Sequence, residues 1–324
     1  LKAAQSDDED LARVGYESLV AIRGAEIDRA IIAGLQQAEG KTRLLLLKAA
    51  GDRYLTQASD AIVPLLASSD KETRHTAIEA AGTTFEAPQL PKLITLLTST
   101  KDDAERDLIK NSLRNAVRRM PSPDACAELL ITTMAGVSDD AKVEILELLA
   151  DVGGEKALKA VAEAANSEKE ILKDAGTRLL GEWMSAEAAD ELLAIAKADP
   201  RGKYGIRCLR GYIRIARQLN VPPQQRLAMC KAALDVAVRD DERALVLDVL
   251  QRNPSKATLA LACDIMEEHA SLVDQAAAAA VAIGETVVQS DAKAVAQAMD
   301  RVLSATKSSQ IAAKAKALKA KAGG

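Results

Sequence analysis

The chain has 324 residues and a formal net charge of −4 at pH 7, and this acidic balance disfavours non-specific binding to DNA or RNA, which needs a basic surface. Aromatic residues make up only 2% of the sequence, so we expect a core of alanine, leucine, isoleucine and valine rather than an aromatic-lined pocket for a flat ligand. No run of apolar residues approaches the roughly 18 that a membrane-spanning helix needs.

Pairs of helices recur along the chain about every 30 to 36 residues, and one such pair cannot bury its apolar face alone. In the clearest copy, residues 60–82, a first helix that contains Pro64 is followed by a second helix. Asp70 is predicted to be the N-cap of that second helix and Gly82 its C-cap. In chain order, second helices are predicted at residues 8–24, 39–51, 70–82, 102–120, 139–153, 167–183, 199–220, 240–253, 270–284 and 308–320. First helices are predicted between them, for example at residues 27–37, 87–98, 186–198 and 258–268.

The recurring residues of this copy resemble the motif of HEAT repeats, and more closely the short, alanine-rich HEAT-like repeats of bacterial proteins such as bilin lyases: Pro64, Asp70, Arg74, Ala77 and Gly82. The resemblance covers nearly the whole chain. Armadillo repeats are longer and have three helices, and tetratricopeptide repeats need aromatic residues that are scarce here. The resemblance implies an all-α fold, a right-handed α–α superhelix (α-solenoid) of about ten helical-hairpin repeats.

Residues 1–324 are expected to form one continuous array. Pro222 and Pro223 follow a longer second helix, and they predict either an irregular break near residues 199–223 or a capped edge between two sub-arrays. The chain begins at Leu1 without a signal-peptide pattern and ends in lysine, alanine and glycine, so we expect a fragment of a longer protein. Buried thiols would favour the cytoplasm, and a secreted or periplasmic location is the alternative.

Residue types that are typical of catalytic or metal sites are scattered along the chain. Four cysteines are predicted to be buried free thiols, with two disulfide bridges as the alternative: Cys126, Cys208, Cys230 and Cys263. His75 and His269 fall in distant repeats and are predicted to have packing or solvent-facing roles. The sequence contains no P-loop, HExxH, nucleophile elbow or GxGxxG motif. We therefore predict that the chain is not an enzyme and has no cofactor or metal; the bilin lyases and DNA glycosylases of the family are the catalytic alternative.

A ridge of positive charge follows the predicted second helix at residues 199–220. Five cations step by four, three, four and three residues, which places them within about 80° of arc on one helix face: Lys203, Arg207, Arg210, Arg214 and Arg217. Tyr204 and Tyr212 are predicted on the buried side. One interpretation is that the ridge is solvated or pairs locally with neighbouring helices. The other is that the five cations bind an extended anion, such as an acidic peptide, a phosphorylated segment or an anionic polymer, which makes them the candidate partner-binding residues.

Two neighbouring second helices carry ridges of opposite charge. The basic ridge consists of Arg106, Lys110, Arg114 and Arg118, and the acidic ridge of Asp140, Glu144, Glu147 and Asp151. Because the two helices belong to adjacent repeats, we predict a ladder of ion pairs between them. Exposed pairs contribute only about 0–1 kcal/mol each, so the ladder would set the register of the repeats more than their stability.

The repeat pattern, together with the missing catalytic motifs, predicts a non-catalytic HEAT-like scaffold that mediates protein–protein interaction as a module of a larger multidomain protein. The expected partner is a protein or an acidic peptide, with neither nucleic acid nor membrane, and the chain is expected to be a monomer. The alternative is a binding module for a phosphorylated or nucleic-acid ligand that uses the basic ridge on the concave face of the array.

Overall fold

The computed structural model describes residues 1–323 and shows an all-helical chain. Nineteen α-helices and six short 3₁₀ segments make up the regular structure of this range, in which no residue lies in a β-strand. The predicted all-α fold is thereby confirmed. Contacts between Cα atoms divide the chain into two units, Leu1–Val161 and Ala162–Gly324. The handedness of the superhelix, the number of repeats and the break near residues 199–223 stay predictions.

In the first unit, successive second helices pack against one another, and first helices pack against the second helices. The second helices are α1 (Glu9–Ala21), α3 (Gly40–Asp52), α5 (Lys71–Thr84), α7 (Asp103–Arg118) and α9 (Asp139–Val152). The first helices are α2 (Ala25–Gln37), α4 (Ser59–Ile62), α6 (Leu90–Ser99) and α8 (Pro123–Met134). Short 3₁₀ segments lie at Ala3–Gln5, Thr56–Ala58, Val63–Ala67 and Ala87–Gln89.

The second unit repeats this arrangement after a boundary that falls inside α10 (Gly154–Ala165). Its second helices are α11 (Glu170–Glu182), α13 (Lys203–Gln218), α15 (Asp240–Arg252), α17 (Val273–Val287) and α19 (Ser309–Gly323), and each packs against the next. Its other first helices are α12 (Ala189–Ala198), α14 (Pro223–Val236), α16 (Lys256–Glu268) and α18 (Ala292–Ala305). Two 3₁₀ segments lie at Ala186–Ala188 and Ala270–Leu272. Each of the ten predicted second-helix segments therefore overlaps an observed helix.

Polar residues and prolines begin these helices where the sequence predicts. The Asp70 carboxylate accepts a hydrogen bond of 2.9 Å from the Thr73 N–H, and the Asp102 carboxylate caps α7 in the same way. Pro223 is the first residue of α14, where its missing N–H costs no hydrogen bond. Local capping therefore defines the start of several helices.

The arginine of the repeat motif ties a second helix to the turn before it. Nη1 of Arg74 donates to the Ser68 carbonyl at 2.7 Å. Three further repeats have the equivalent hydrogen bond, from Arg43 to Ala38 (2.6 Å), from Arg106 to Thr100 (2.9 Å) and from Arg243 to Ala237 (2.6 Å). The guanidinium donates to a carbonyl that has no partner within the preceding helix. The recurring arginine therefore links the two helices of a pair.

The glycine of the motif permits close helix packing and is not the predicted C-cap. Helix α5 continues past Gly82 to Thr84, and a Cβ atom on Gly82 would lie 3.0 Å from Cα of Ser112 in α7. In the second unit, a Cβ atom on Gly211 of α13 would lie 2.8 Å from Cα of Gly181 in α11. The C-cap prediction was wrong because helix ends and close helix contacts both select glycine.

The interior is built from small and aliphatic side chains, as the composition predicts. Three aromatic residues are buried exceptions, Phe85, Trp183 and Tyr212, of which Phe85 follows α5 and Trp183 follows α11. The carbonyls of Phe85 and Trp183 accept hydrogen bonds from arginines that belong to the next second helix or follow it directly, Arg119 for Phe85 and Arg214 for Trp183. Each unit thus contains one helix-end joint, in which an arginine donates to the carbonyl of the residue that follows the preceding second helix.

Candidate functional site

The predicted ladder of ion pairs joins α7 and α9 in the first unit. Its pairs are Lys110–Glu144, Arg114–Asp151 (3.0 Å), Arg114–Glu147 (3.7 Å) and Arg118–Asp151 (2.9 Å). Arg106 is not part of the ladder, because it donates to the Thr100 carbonyl, and Asp140 is exposed to solvent. The rest of the prediction is confirmed: one ridge neutralises the other.

The basic ridge of the second unit lies on α13 and faces the second helices on both sides. Lys203 and Arg207 pair with α11, whereas Arg210 and Arg217 pair with α15. Arg214 donates to backbone carbonyls at the end of α11. The five cations therefore share one helix face, as predicted, but their neighbours differ from one to the next.

At the start of α13, two cations share one carboxylate. Lys203 lies 2.8 Å and Arg207 lies 3.1 Å from Oδ1 of Asp174. The hydrogen bond from Lys203 is the main cause that lowers the pKa of Asp174, and Arg207 lowers it further. Arg207 also donates to the Thr177 hydroxyl at 3.0 Å. This end of the ridge is locally neutralised.

Tyr204 is not on the buried side, in contrast to the prediction, whereas Tyr212 is buried. The Tyr204 hydroxyl donates to Glu170 at 2.6 Å, and Lys203 and Arg207 lie 5.0 and 5.6 Å from the centre of its ring. The prediction was wrong because Tyr204 faces the first turn of α11, where polar partners replace an apolar core.

In the middle of the ridge, Arg210 pairs with a carboxylate that is almost completely buried. Glu242 at the start of α15 is only 1% exposed, and its Oε1 accepts hydrogen bonds from Arg210 (2.8 Å) and Arg239 (2.6 Å). Burial alone would raise the pKa of Glu242, but the hydrogen bonds from Arg239 and Arg210 outweigh it and lower the pKa. Glu242 thus holds Arg210 in place as an ionised carboxylate.

Towards the end of α13, Arg214 and Arg217 are less well compensated. Nε of Arg214 donates to the Gly181 carbonyl at 2.8 Å and Nη2 donates to the Trp183 carbonyl. Burial is the main cause that lowers the pKa of Arg214; Glu182 raises it and the nearby Arg217 lowers it. Arg217 lies 3.7 Å from Asp248, beyond hydrogen-bonding distance.

A cleft of about 430 Å³ opens beside these side chains, between α11, α13 and α15. Its polar lining consists of Arg178, Glu182, Arg207, Arg210, Arg214 and Arg217. Ile213 and Leu245 add apolar surface. Guanidinium groups present planar pairs of donors that match carboxylate or phosphate oxygens, so the cleft can hold an anionic group.

The individual acidic neighbours, such as Asp174 and Asp248, and the bonding of Arg214 to carbonyls are not identified by the sequence-based prediction. The partners lie one repeat away along the chain, 33 residues for Arg207 and Asp174 and 32 for Arg210 and Glu242. Opposite charges separated by one repeat length are the signal that could have found them. The role of the five ridge residues in binding a partner stays a prediction.

The cysteines and histidines are the first residues to consider as ligands of a metal ion. All four cysteines are buried and free, as predicted, and His75 lies 3.3 Å from the Glu105 carboxylate. Residues 1–323 contain no group of three or more His, Cys, Asp or Glu side chains that could hold a metal ion. Within the same range, no helix is both long enough and apolar enough to cross a bilayer.

No family model matches this sequence, and no curated protein matches it. Solved structures to which the chain is similar include an engineered protein that is 16% identical, over 100% of this chain and 98% of that one, with a TM-score of 0.37. The complex of CpcE and CpcF of phycocyanin lyase from Nostoc sp. PCC7120 is 14% identical, over 72% and 92%, with a TM-score of 0.31. Kap121p is 13% identical, over 99% and 44%, with a TM-score of 0.40.

These similarities concern the helical-repeat fold alone. At such identities and TM-scores the neighbours give no information on the partner or activity of this chain. The resemblance to HEAT-like repeats comes from the sequence motif, and successive second helices pack against one another within each unit.

Proposed function

We propose that the chain is a non-catalytic helical-repeat scaffold that binds a protein partner, and that the cleft beside α13 accepts an acidic segment of that partner. The observation that carries this proposal is the set of five arginines around one cleft of about 430 Å³. Between α7 and α9, by contrast, the cations of one ridge form ion pairs with the carboxylates of an opposite ridge.

The composition of the cleft favours a peptide as the ligand. Arginines provide forked donors for carboxylates, and Ile213 and Leu245 can contact the aliphatic parts of side chains. Glu182, which also lines the cleft, and Asp241 beside Arg210 carry negative charge at its edge. A ligand with a few separated carboxylates avoids these two side chains more easily than a continuous polyanion does.

The environment of the cysteines supports the non-catalytic part of the proposal. Burial raises the pKa of Cys126 and Cys263 to about 11, and that of Cys208 and Cys230 to about 12. The thiolate is the nucleophilic form of cysteine, and such thiols remain protonated at neutral pH.

Titration of a labelled acidic peptide tests the proposal. A fluorescein-labelled peptide of about twelve alternating glutamates and glycines is titrated with the chain, and fluorescence anisotropy gives the Kd. We expect saturable binding that weakens as the salt concentration rises, because the contacts are between charges. Arg217→Glu is expected to raise the Kd about ten-fold or more.

Arg217 is the position to change because its pairing with Asp248 is loose, whereas a double charge reversal at Arg207 and Arg214 would detach α13 from α11. The matched control is Arg29→Glu in α2, where the exposed arginine donates only to a carbonyl of its own helix. Both variants change the net charge equally. Equal losses of affinity in the two variants, or no saturable binding to the unmodified chain, would contradict the proposal.

A further inference from the structure

The five ridge cations differ in how their charge is balanced. Lys203 and Arg207 share Asp174, and Arg210 pairs with the buried Glu242. Arg214 hydrogen-bonds only to neutral carbonyls, and no ion pair forms between it and any described residue. Arg214 is therefore the ridge cation that has no ion pair to a described carboxylate, and Glu182 acts on it only from a longer distance.

The next cation along the ridge adds to this excess of positive charge. Arg217 lies 3.7 Å from Asp248, and that carboxylate already accepts two hydrogen bonds of 3.0 Å from Arg252. Arg214 and Arg217 are three residues apart on α13, so their side chains project from the same face. Both line the cleft. Burial is the main cause that lowers the pKa of Arg214; Glu182 raises this pKa, and repulsion by Arg217 lowers it further.

The equivalent joint of the first unit shows that holding the helix end does not require a second cation. Nη2 of Arg119 donates to the carbonyls of Gly82 (3.3 Å) and Phe85 (3.1 Å), as Arg214 does to those of α11. Its guanidinium lies over the ring of Tyr54, 6.0 Å from the centre. A structural role explains Arg119 fully, whereas it leaves Arg217 and the cleft beside Arg214 unexplained.

We propose that Arg214 and Arg217 form an oxyanion subsite of the cleft, which accepts a phosphorylated side chain of the partner. The subsite rests on the proposed function, because it lies within the same peptide-binding cleft. Two neighbouring guanidiniums match a phosphomonoester, which has about two negative charges near neutral pH and three acceptor oxygens. A carboxylate has one charge and can neutralise only one of the two arginines.

A phosphorylated side chain fits this subsite better than a nucleic acid does. The excess positive charge is confined to two adjacent residues, while Glu182 lines the same cleft and Asp241 is 72% exposed beside Arg210. A polyphosphate backbone would bring successive charges close to these carboxylates. A single phosphoryl group can be bound by the two arginines without extending along the ridge to Asp241.

Calorimetric titration with three short peptides tests the subsite. The peptides are identical except for one central residue, which is phosphoserine, glutamate or serine, and alanine and glycine flank it on both sides. For the unmodified chain we expect the phosphoserine peptide to bind with a Kd about ten-fold or more below that of the glutamate peptide. In Arg217→Gln this ratio is expected to fall close to one.

Arg119→Lys is the matched control for Arg214→Lys, because each variant weakens one helix-end joint. Both are expected to lower the unfolding temperature, but only Arg214→Lys reduces the preference for phosphoserine. The ratio of two Kd values does not depend on the fraction of folded protein, so a loss of stability cannot imitate the loss of the subsite.

Two results would overturn the inference. Equal affinities of the unmodified chain for the phosphoserine and glutamate peptides would remove the subsite, while binding of the longer glutamate peptide would leave the proposed function intact. Tighter binding of a single-stranded oligonucleotide than of the phosphoserine peptide, lost in Arg217→Gln, would assign the two arginines to a nucleic acid instead.

Discussion

Two regions of the molecule use the same device, a ridge of cations along a second helix, with different results. Between α7 and α9 the ridge faces a single acidic helix, and all three cations of the ladder find carboxylates there. On α13 the acidic partners are divided between α11 and α15. Arg214 is left with carbonyls alone, and a cleft remains beside it.

The difference shows how a repeat array can separate stability from recognition. A ridge opposite its complement is neutralised and becomes part of the packing between repeats. Where some cations of a ridge have no carboxylate opposite them, their hydrogen-bond donors and charge remain at the surface. Those cations are partly desolvated, which is unfavourable for stability. Helix period alone cannot distinguish these cases, because the cations of both ridges recur about once per helical turn, every three or four residues.

The largest effect on this comparison is expected from Glu242→Ala in the second unit. The substitution removes a carboxylate that is 1% exposed and holds two arginines, so we expect a loss of about 3 kcal/mol in the free energy of unfolding. Glu144→Ala in the ladder removes a more exposed carboxylate and should cost about 1 kcal/mol or less. Urea unfolding followed by circular dichroism measures both.

The pH dependence of the Glu242→Ala effect checks its origin. The pKa of Glu242 is lower in the folded chain than in the unfolded one. Its contribution is therefore present above the unfolded-state pKa and is lost as the pH falls through the folded-state value. The difference between the unmodified chain and the variant should shrink in acid. A difference that is constant from neutral pH to strongly acidic pH would mean that packing, and not charge, is responsible.

An intermediate effect is expected at the close contact that brings Arg214 to the end of α11. Gly211→Ala places a methyl group 2.8 Å from Cα of Gly181, and we expect a loss of about 2 kcal/mol in unfolding free energy. Gly181→Ala meets no atom within 4 Å and should be neutral or stabilise the helix by up to about 1 kcal/mol. Thermal unfolding of the two variants measures this asymmetry, and equal losses would refute the packing role of Gly211.

The smallest changes in the free energy of unfolding are expected for single arginines of the ladder and of the cleft. Arg114→Ala in the ladder breaks pairs with Asp151 and Glu147 and should cost about 0.5–1 kcal/mol, with a smaller loss at high salt. Arg217→Ala should change the free energy of unfolding by less than about 0.5 kcal/mol, because its single pairing is long. A larger loss for Arg217→Ala than for Arg114→Ala would make the α13 ridge structural throughout.

Much of the fold was predictable because its signals are local. Helical periodicity located the second helices, and Asp70 and Pro223 marked two helix starts through hydrogen bonds and backbone geometry within a few residues. Gly82 was interpreted wrongly, since its role depends on Ser112 in the next second helix. The same glycine would suit a helix end equally well.

The candidate site was predictable only in part, for the same reason. The 3.6-residue period was sufficient to place five cations on one face of α13, and composition was sufficient to indicate an aliphatic core. The position of Tyr204 and the carbonyl partners of Arg214 depend on α11, which precedes them by about one repeat. Packing between repeats decides whether the charges of a ridge are paired, because each counter-charge lies on a neighbouring helix rather than within the local segment.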